Sequence, residues 1–414
     1  MTAGSAVWSA LRAAGVDAVF GAALPGVPAV VAPPGAAAVL ARAHERVHRA
    51  PAAVSTPGSL VFGTGAATAV DDVAELPAAL AGAVARRGRL DLRVDPGEPA
   101  RAGVPALPPP PVPDLLPWLD RLAAARRPVV LAGPGVITAR AVPGLHALAT
   151  AGGLGVLNTW GAKGVLPWQS VHHWATVGLQ RDDFVLGGLA VTDLVVAVGL
   201  DPWEAPDERW RLADALEVPP AALGPLAERL RADGSAADHP VLRARLAEVT
   251  QRSWRITAAP LPPSAVTRAY GEVVAGRGGL VAADAGSAGF WVARTLGTTV
   301  LDSVVVPGPP EEEGFAVACA LVARLRAPAR PVLAVTGGPP GPRTVELLDI
   351  AEGLGRPVPV EVWDADGPRL DATAHAARLA GAVHAERTSV LPLATDGRQL
   401  DEMVEAAGPV VAWT

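Results

Sequence analysis

The strongest constraint on the fold is a repeated alternation of short, continuous apolar segments with helical ones. The clearest apolar segments are "PVVLAGPG" at 128–135, "DLVVAVG" at 193–199 and "PVLAVTGG" at 331–338. Such runs are typical of parallel strands that helices cover on both faces. The pattern predicts an α/β protein whose ligands lie at the carboxyl ends of the strands, so the residues that follow each strand are the candidates for a site.

Two proline-rich stretches divide the chain, "ALPPPPVPD" at 106–114 and "AAPLPPSAV" at 258–266. Consecutive prolines favour an extended, semi-rigid conformation that suits a linker. Each of the three resulting segments carries its own apolar and helical runs. The predicted organisation is a domain at 1–105, a linker at 106–117, a domain at 118–255, a linker at 256–263 and a domain at 264–414.

Composition excludes several classes of protein. The net charge is −6 and charged residues make up 18% of the chain, with no basic stripe, so no nucleic-acid partner is expected. Gly, Pro or Arg interrupts the apolar runs before they reach membrane-spanning length, and the N-terminus lacks the basic region of a secretion signal. We therefore expect a cytoplasmic protein without a membrane partner. The single cysteine, Cys319, rules out a disulfide within the chain.

Four segments follow one another in an informative order: "LRAAGVDAVFGAALPG" at 11–26, "VLNTWGAKGVLP" at 156–167, "DAGSAGFWVAR" at 284–294 and "GFAVACALVAR" at 314–324. They resemble segments of thiamine diphosphate (ThDP)-dependent enzymes of the acetolactate synthase and 2-oxo acid decarboxylase type. The resemblance implies three Rossmann-like or flavodoxin-like parallel-sheet domains, in the order pyrimidine-binding, middle and diphosphate-binding, with the first reduced. It also implies a homodimer or a dimer of dimers.

The segment that resembles the metal–diphosphate motif departs from the family pattern. The family's Gly-Asp-Gly triplet corresponds to Gly337-Gly338-Pro339, so the metal-binding Asp is expected where Gly338 stands. Pro339 and Pro340 cannot donate a backbone N–H to a phosphate. The acidic run 311–313 would place negative charges near the anionic ligand, and each would cost about 1 kcal/mol at about 4 Å in water.

The resemblance nevertheless assigns candidate site residues. Backbone contacts to a diphosphate are expected from two places in the chain. The glycine-rich turn offers Gly337, Gly338 and Gly341, and the end of an earlier strand, "GLVAAD" at 279–284, leads to Gly286 and Ser287. Because the turn itself has no carboxylate, Asp364 and Asp366 on the next strand end are the candidates for replacement Mg²⁺ ligands.

The family's catalytic Glu, often part of a His-Glu pair, corresponds to Glu45, which follows His44. The alternative is an exposed Glu on an Arg-rich helix, with His44 and His48 on one face. Two weaker signals stay open as well. The glycine turn 133–135 is either a nucleotide contact or a structural turn, and Lys163 is either structural or an anion ligand.

Two functional hypotheses follow. In the first, the Mg²⁺–ThDP site is eroded, and the chain is a non-catalytic homologue, a partner of a second protein subunit, or a binder of another small molecule. In the second, the chain is an active ThDP-dependent lyase or carboligase on a 2-oxo acid or aldehyde, with ThDP and Mg²⁺ as cofactors. The missing Asp and the acidic run favour the first hypothesis, whereas Glu45 favours the second.

Overall fold

The computed structural model describes residues 3–63, 65–72, 75–93, 114–230, 239–308 and 312–413. The chain divides into two compact units, Met1–Pro111 and Val112–Thr414. Most of the predicted linker 106–117 and the first residue of the acidic run lie outside the described residues. Within the described part of the chain, no helix combines the length and the apolar character needed to cross a membrane.

The first unit is an α/β layer. Its described elements are β1 (Ala18–Gly21), β2 (Val30–Val31), β3 (Ala52–Thr56), β4 (Ser59–Val61), β5 (Ala67–Val70), β6 (Arg89–Leu92), α1 (Ala3–Ala13), α2 (Pro34–His48) and α3 (Leu76–Ala85). The strands form one sheet in the order β2-β1-β3-β4-β6-β5. The amphipathic helix α2 packs its apolar face, with Leu40 and Val47 buried, on β1 and β3.

One strand of the first sheet departs from the predicted parallel pattern. β4 is antiparallel to β3 and to β6, and Thr56 pairs with Ser59 across the two residues Pro57 and Gly58. A two-residue turn can join only antiparallel strands, and Gly58 has a positive φ of 75°, which favours glycine. The first sheet is therefore mixed, because a hairpin replaces a helical crossover.

The second unit holds two parallel sheets, of which one uses β7 (Pro128–Ala132), β8 (Gly155–Thr159), β9 (His173–Val177), β10 (Leu194–Val198) and β11 (Ala215–Glu217). Their order is β11-β10-β7-β8-β9. Every residue of β8, β9 and β10 is buried, as expected for strands covered on both faces. The helices of this part are α4 (Leu116–Ala124), α5 (Gly135–Thr138), α6 (Val142–Gly152), α7 (Asp207–Trp210), α8 (Leu223–Arg229) and α9 (Val241–Ser253).

The other parallel sheet of this unit has the order β13-β12-β14-β15-β16. Its strands are β12 (Leu280–Ala283), β13 (Val304–Val305), β14 (Val332–Thr336), β15 (Pro359–Trp363) and β16 (Ser389–Leu393). Its helices are α10 (Pro263–Val273), α11 (Ser287–Thr295), α12 (Phe315–Arg326), α13 (Pro342–Gly353), α14 (Ala372–Val383) and α15 (Gln399–Ala407). The predicted α/β class is confirmed, whereas the predicted domain boundaries stay predictions.

This last sheet has a topological switch point. From β12 the chain passes through α11 to β13 at one edge, and from there through α12 to β14 on the other side of β12. The connection after β14 leads through α13 to β15, away from β13. Neighbouring connections that leave in opposite directions open a crevice at the carboxyl ends of the strands, here between β12 and β14.

A buried ion pair ties α11 to the sheet that contains β9. Arg294 contacts the two carboxylate oxygens of Asp183 at 2.8 and 2.7 Å, and it donates to the carbonyl of Thr176 at 2.8 Å. Both charged side chains are almost completely buried. Burial raises the pKa of Asp183, while the charge of Arg294 opposes that rise. Each charge therefore depends on the other to remain inside the protein.

We expect Arg294→Met to lower the free energy of unfolding by about 3–5 kcal/mol, because Asp183 would keep an uncompensated buried charge. Urea denaturation followed by circular dichroism measures this change. Arg252→Met is the matched control, since its pair with Glu248, at 3.0 Å, is exposed and should contribute less than about 1 kcal/mol. Equal losses in the two variants would contradict a special role for the buried pair.

Candidate functional site

A cavity of about 430 Å³ lies at the switch point between β12 and β14. It is lined by residues 284–287, 312–313, 336–341 and Thr344. Three carboxyl side chains, those of Asp284, Glu312 and Glu313, contribute to this lining, and no Lys, Arg or His does so among the described residues. The cavity is therefore acidic in composition, at the place where the sheet topology predicts a ligand.

The glycine-rich turn after β14 forms one wall of the cavity. The hydroxyl of Thr336 donates to the carbonyl oxygen of Gly338 at 2.8 Å and so fixes the turn. Gly337 lies against the start of α11, because a Cβ there would be 3.6 Å from the backbone nitrogen of Ala288. Gly338 faces open space, where a Cβ would meet nothing within 4 Å. Packing therefore does not exclude a carboxylate side chain at Gly338.

The opposite wall begins directly after β12. Gly286 has a positive φ of 84° and immediately precedes α11, whose first residue is Ser287. All five glycine and serine positions predicted to contact a diphosphate line this one cavity. The structure brings them together, and their role in binding stays a prediction.

Two helices that begin at the cavity have carboxylates of this chain at their N-termini. Asp284 Oδ1 accepts the backbone N–H of Ala316, in the first turn of α12, at 2.8 Å. Glu313 Oε1 accepts the backbone N–H of Thr344, in the first turn of α13, at 3.0 Å. Helix N-termini favour negative charge, so both contacts are electrostatically favourable.

Asp284 is the carboxyl group at the cavity with a clearly altered acidity. Burial, with the negative charge of Glu313 adding to it, raises the pKa of Asp284 to about 6, although its hydrogen bond to Ala316 favours the charged form. A carboxyl with a pKa near neutrality, placed in a crevice, is the type of group that can exchange a proton with a ligand. Sequence reasoning missed Asp284, and its position immediately after β12 was the available signal.

The predicted replacement metal ligands follow β15 rather than β14. Asp364 Oδ1 accepts the N–H of Asp366 at 3.0 Å, which makes a local turn, and Asp366 is exposed. Neither residue is among those that line the cavity. Among the described residues, no group of three or more His, Cys, Asp or Glu side chains is placed to hold a metal ion. The metal-ligand role of this pair stays a prediction.

Glu45 lies in the last turn of α2 in the first unit. Its Oε2 accepts from Arg87 at 2.9 Å, and Glu45 is partly buried. The preceding His44 contacts Asp17 Oδ1 at 2.6 Å, and its ring meets that of His48 edge-on at 4.7 Å. His44 and His48 therefore share one face, as the sequence suggested. The catalytic role of Glu45 stays a prediction.

Lys163 is buried beneath an aromatic ring. Its ammonium nitrogen lies 5.6 Å from the centre of the Trp168 ring, and only 5% of the residue is exposed. Burial, with the nearby positive charge of Arg294, lowers the pKa of Lys163 to about 7. The amine is therefore partly neutral at physiological pH, which the sequence could not show.

A larger cavity, of about 590 Å³, lies at the carboxyl end of the sheet that contains β10 and includes Trp118 and Trp210 in its lining. The glycine turn singled out in the sequence packs nearby. A Cβ at Gly133 would be 2.3 Å from the carbonyl oxygen of Gly199, and one at Gly135 would be 2.7 Å from its Cα. Close backbone approach therefore accounts for these two glycines without a nucleotide.

Asp284 should titrate near pH 6, which carboxyl carbon chemical shifts measured by NMR would report. Between pH 3.8 and about 6 the folded state holds a proton that the unfolded chain releases, so the contribution of Asp284 to stability falls as pH rises through this window. Asp284→Asn keeps the acceptor for Ala316 and should remove this dependence of stability on pH. Glu313→Gln should lower the titration midpoint. A midpoint near 4 in the unaltered protein would contradict the assignment.

Lys163→Met should raise the free energy of unfolding by about 1–3 kcal/mol at pH 7, because it removes a buried ionisable amine. The unfolded chain keeps the lysine proton up to about pH 10.5, whereas the folded protein releases it above about pH 7, so stability should rise with pH between these values. The variant should lack that rise in denaturation experiments at several pH values. Unchanged stability and slope would show that the amine is solvated.

Comparisons with known proteins agree on one family. Residues 117–212 match the sequence profile described as the central domain of thiamine pyrophosphate enzymes. An acetolactate synthase from Mycobacterium avium is 26% identical over 247 residues, which span 52% of this chain and 40% of the relative. The match therefore covers well under two thirds of that protein.

The fold agrees as well. The X-ray structure of a proposed thiamin diphosphate-dependent enzyme from Mycobacterium smegmatis superposes with a TM-score of 0.69 at 18% identity, over 95% of this chain and 99% of that one. At this identity the structure supports the fold alone. The central-domain match, the acetolactate synthase match and the shared fold agree in making this chain similar to thiamine diphosphate-dependent enzymes.

Proposed function

We propose that this chain is an acetolactate synthase-like family member whose Mg²⁺–ThDP site is eroded. It would act as a non-catalytic homologue or partner subunit, or bind another small molecule at the switch point. The observation that carries the proposal is the composition of the cavity, which is lined by three carboxyl groups and, among the described residues, by no basic side chain.

Charge is the first reason why a diphosphate does not fit the residues present. A diphosphate carries two to three negative charges, and proteins hold such groups with N–H donors at helix N-termini, aided by a cation. Here Asp284 and Glu313 already accept N–H groups at the starts of α12 and α13. Each further negative charge near the ligand would cost about 1 kcal/mol at about 4 Å in water, and more in a partly buried site.

The missing metal ligand is the second reason. A Mg²⁺ ion needs carboxylate or carbonyl oxygens close to the phosphates. Gly338 offers no side chain, and the carbonyl of Gly338 already accepts from Thr336. Pro339 and Pro340 lack N–H donors as well. Because the space beside Gly338 is open, the loss of the carboxylate is a change of chemistry rather than of packing.

The family's architecture suggests how such a chain would act. In the family the first domain of one chain faces the last domain of another, so we propose a homodimer or a dimer of dimers. A second protein subunit could replace one of the two copies and supply an intact metal turn.

Calorimetric titration with ThDP, with and without Mg²⁺, tests the proposal directly. We expect no Mg²⁺-dependent binding to the unaltered chain at millimolar ThDP, because the cavity lacks both a metal ligand and a basic side chain. Binding at micromolar ThDP that requires Mg²⁺ would contradict the proposal.

A restored carboxylate sharpens the same experiment. Gly338→Asp fits the open space beside the turn, and Gly397→Asp, also in open space, adds the same charge at an exposed position as the control. If the missing ligand limits metal binding, Gly338→Asp alone should gain affinity for Mg²⁺ in the presence of ThDP. Equal Mg²⁺ affinity of the two variants would indicate that the acidic lining of the cavity, rather than the missing ligand, prevents binding.

The alternative is an active ThDP-dependent lyase or carboligase on a 2-oxo acid or aldehyde. The similarity to an acetolactate synthase favours it. In that case the turn would hold the phosphates, Asp364 or Asp366 would hold Mg²⁺, and Glu45 would activate the pyrimidine ring. Micromolar Mg²⁺-dependent binding in the titration would support this alternative and make 2-oxo acids the first trial substrates.

A further inference from the structure

Glu313 has an unusual position for a residue that caps a helix. Side-chain caps of a helix N-terminus usually come from the residue just before the helix. Before α13 that residue is Gly341, which has no side chain. The acceptor comes instead from Glu313, whose Oε1 accepts the N–H of Thr344 at 3.0 Å across 31 positions of the chain.

The glycine at the start of α13 makes this approach possible. A Cβ on Gly341 would lie 2.4 Å from Glu313 Oε1, a separation that would force the carboxylate away. The φ of Gly341 is −79°, so its backbone conformation is open to any residue. Glycine at this position therefore lets the carboxylate approach the helix start this closely without moving the flexible end of the Glu313 side chain.

Within the described part of the chain, no basic side chain pairs with this carboxylate. Among the described residues Glu313 has no ion pair, and the nearby Arg343 is paired with Glu346 on the same helix. The charge of Glu313 instead contributes to raising the pKa of the neighbouring Asp284. The bond to Thr344 and the lining of the cavity thus place the Glu313 carboxyl group at the start of α13 and inside the cavity.

We propose that Glu313 is a built-in anion that occupies the N-terminus of α13 and closes it to phosphate groups. A helix N-terminus with free N–H groups attracts phosphate, and here the chain's own carboxylate takes that place. This role of Glu313 rests on the proposed function, since it would explain how the eroded site excludes a diphosphate.

The test compares pyrophosphate binding by the full chain and three variants, measured by calorimetry without Mg²⁺. Glu313→Ala removes the acceptor and the charge, and Glu313→Gln keeps an acceptor for Thr344 but removes the charge. Asp349→Ala removes one exposed carboxylate from the same helix and is the matched control.

We expect Glu313→Ala to bind pyrophosphate at least about tenfold more tightly than the unaltered chain, because one charge less and one N–H more favour the anion. Glu313→Gln should gain less, and Asp349→Ala should gain nothing. Faster hydrogen exchange of the Thr344 amide in Glu313→Ala, but not in Glu313→Gln, should accompany the gain.

Equal affinity of Glu313→Ala and Asp349→Ala for pyrophosphate would overturn the proposal that Glu313 excludes phosphate groups. Glu313 would then be a structural cap of α13. If Glu313→Ala does not fold, the comparison of Glu313→Gln with Asp349→Ala decides in the same way. Failure of this role of Glu313 is distinguishable from failure of the proposed function. The proposed function fails when the unaltered chain binds ThDP with Mg²⁺, whereas the role of Glu313 fails when removal of Glu313 leaves pyrophosphate binding unchanged.

Discussion

The parallel pairing of β12 with β13 on one side and with β14 on the other is the constraint on which the site depends. Parallel strands place their carboxyl ends at one edge, and the opposite directions of the connections after β12 and β14 leave a crevice between them. The residues after each strand must therefore line the same cavity, whatever their chemistry. The fold guarantees a place for a ligand, and only the side chains decide which ligand can enter.

Much of the fold followed from the apolar runs, because a strand buried on both faces leaves a plain signal in the sequence. Val332–Thr336 and Leu194–Val198 are completely buried strands, and both lie in the segments that the pattern selected. The hairpin of β3 and β4 was missed because two strands of three to five residues joined by Pro57-Gly58 do not differ in composition from a loop. Short strands carry little periodicity, so local pattern cannot fix their direction.

The candidate site was predictable in location but not in its contacts. The turn at 336–341 and Ser287 after a strand line one cavity, since both follow from strand order, and their role in binding stays a prediction. The contact of Glu313 with Thr344 joins residues 31 positions apart, and the acidity of Asp284 depends on burial. A local motif encodes neither a contact between residues far apart in the sequence nor the burial of a side chain in the folded protein. The same holds for Lys163, whose pKa is set mainly by the protein that surrounds it.

The features of the cavity are consistent with one another once the metal ligand is absent. A bound divalent cation would neutralise nearby carboxylates and hold them ionised. Burial, with the negative charge of Glu313 adding to it, makes Asp284 gain a proton more easily and raises its pKa to about 6. Glu313 accepts the N–H of Thr344 at the N-terminus of α13, a position that is electrostatically favourable for a carboxylate. The open space beside Gly338 and the contact of Glu313 with α13 therefore both bear on the charge of the site, the first by leaving room for a carboxylate and the second by supplying one.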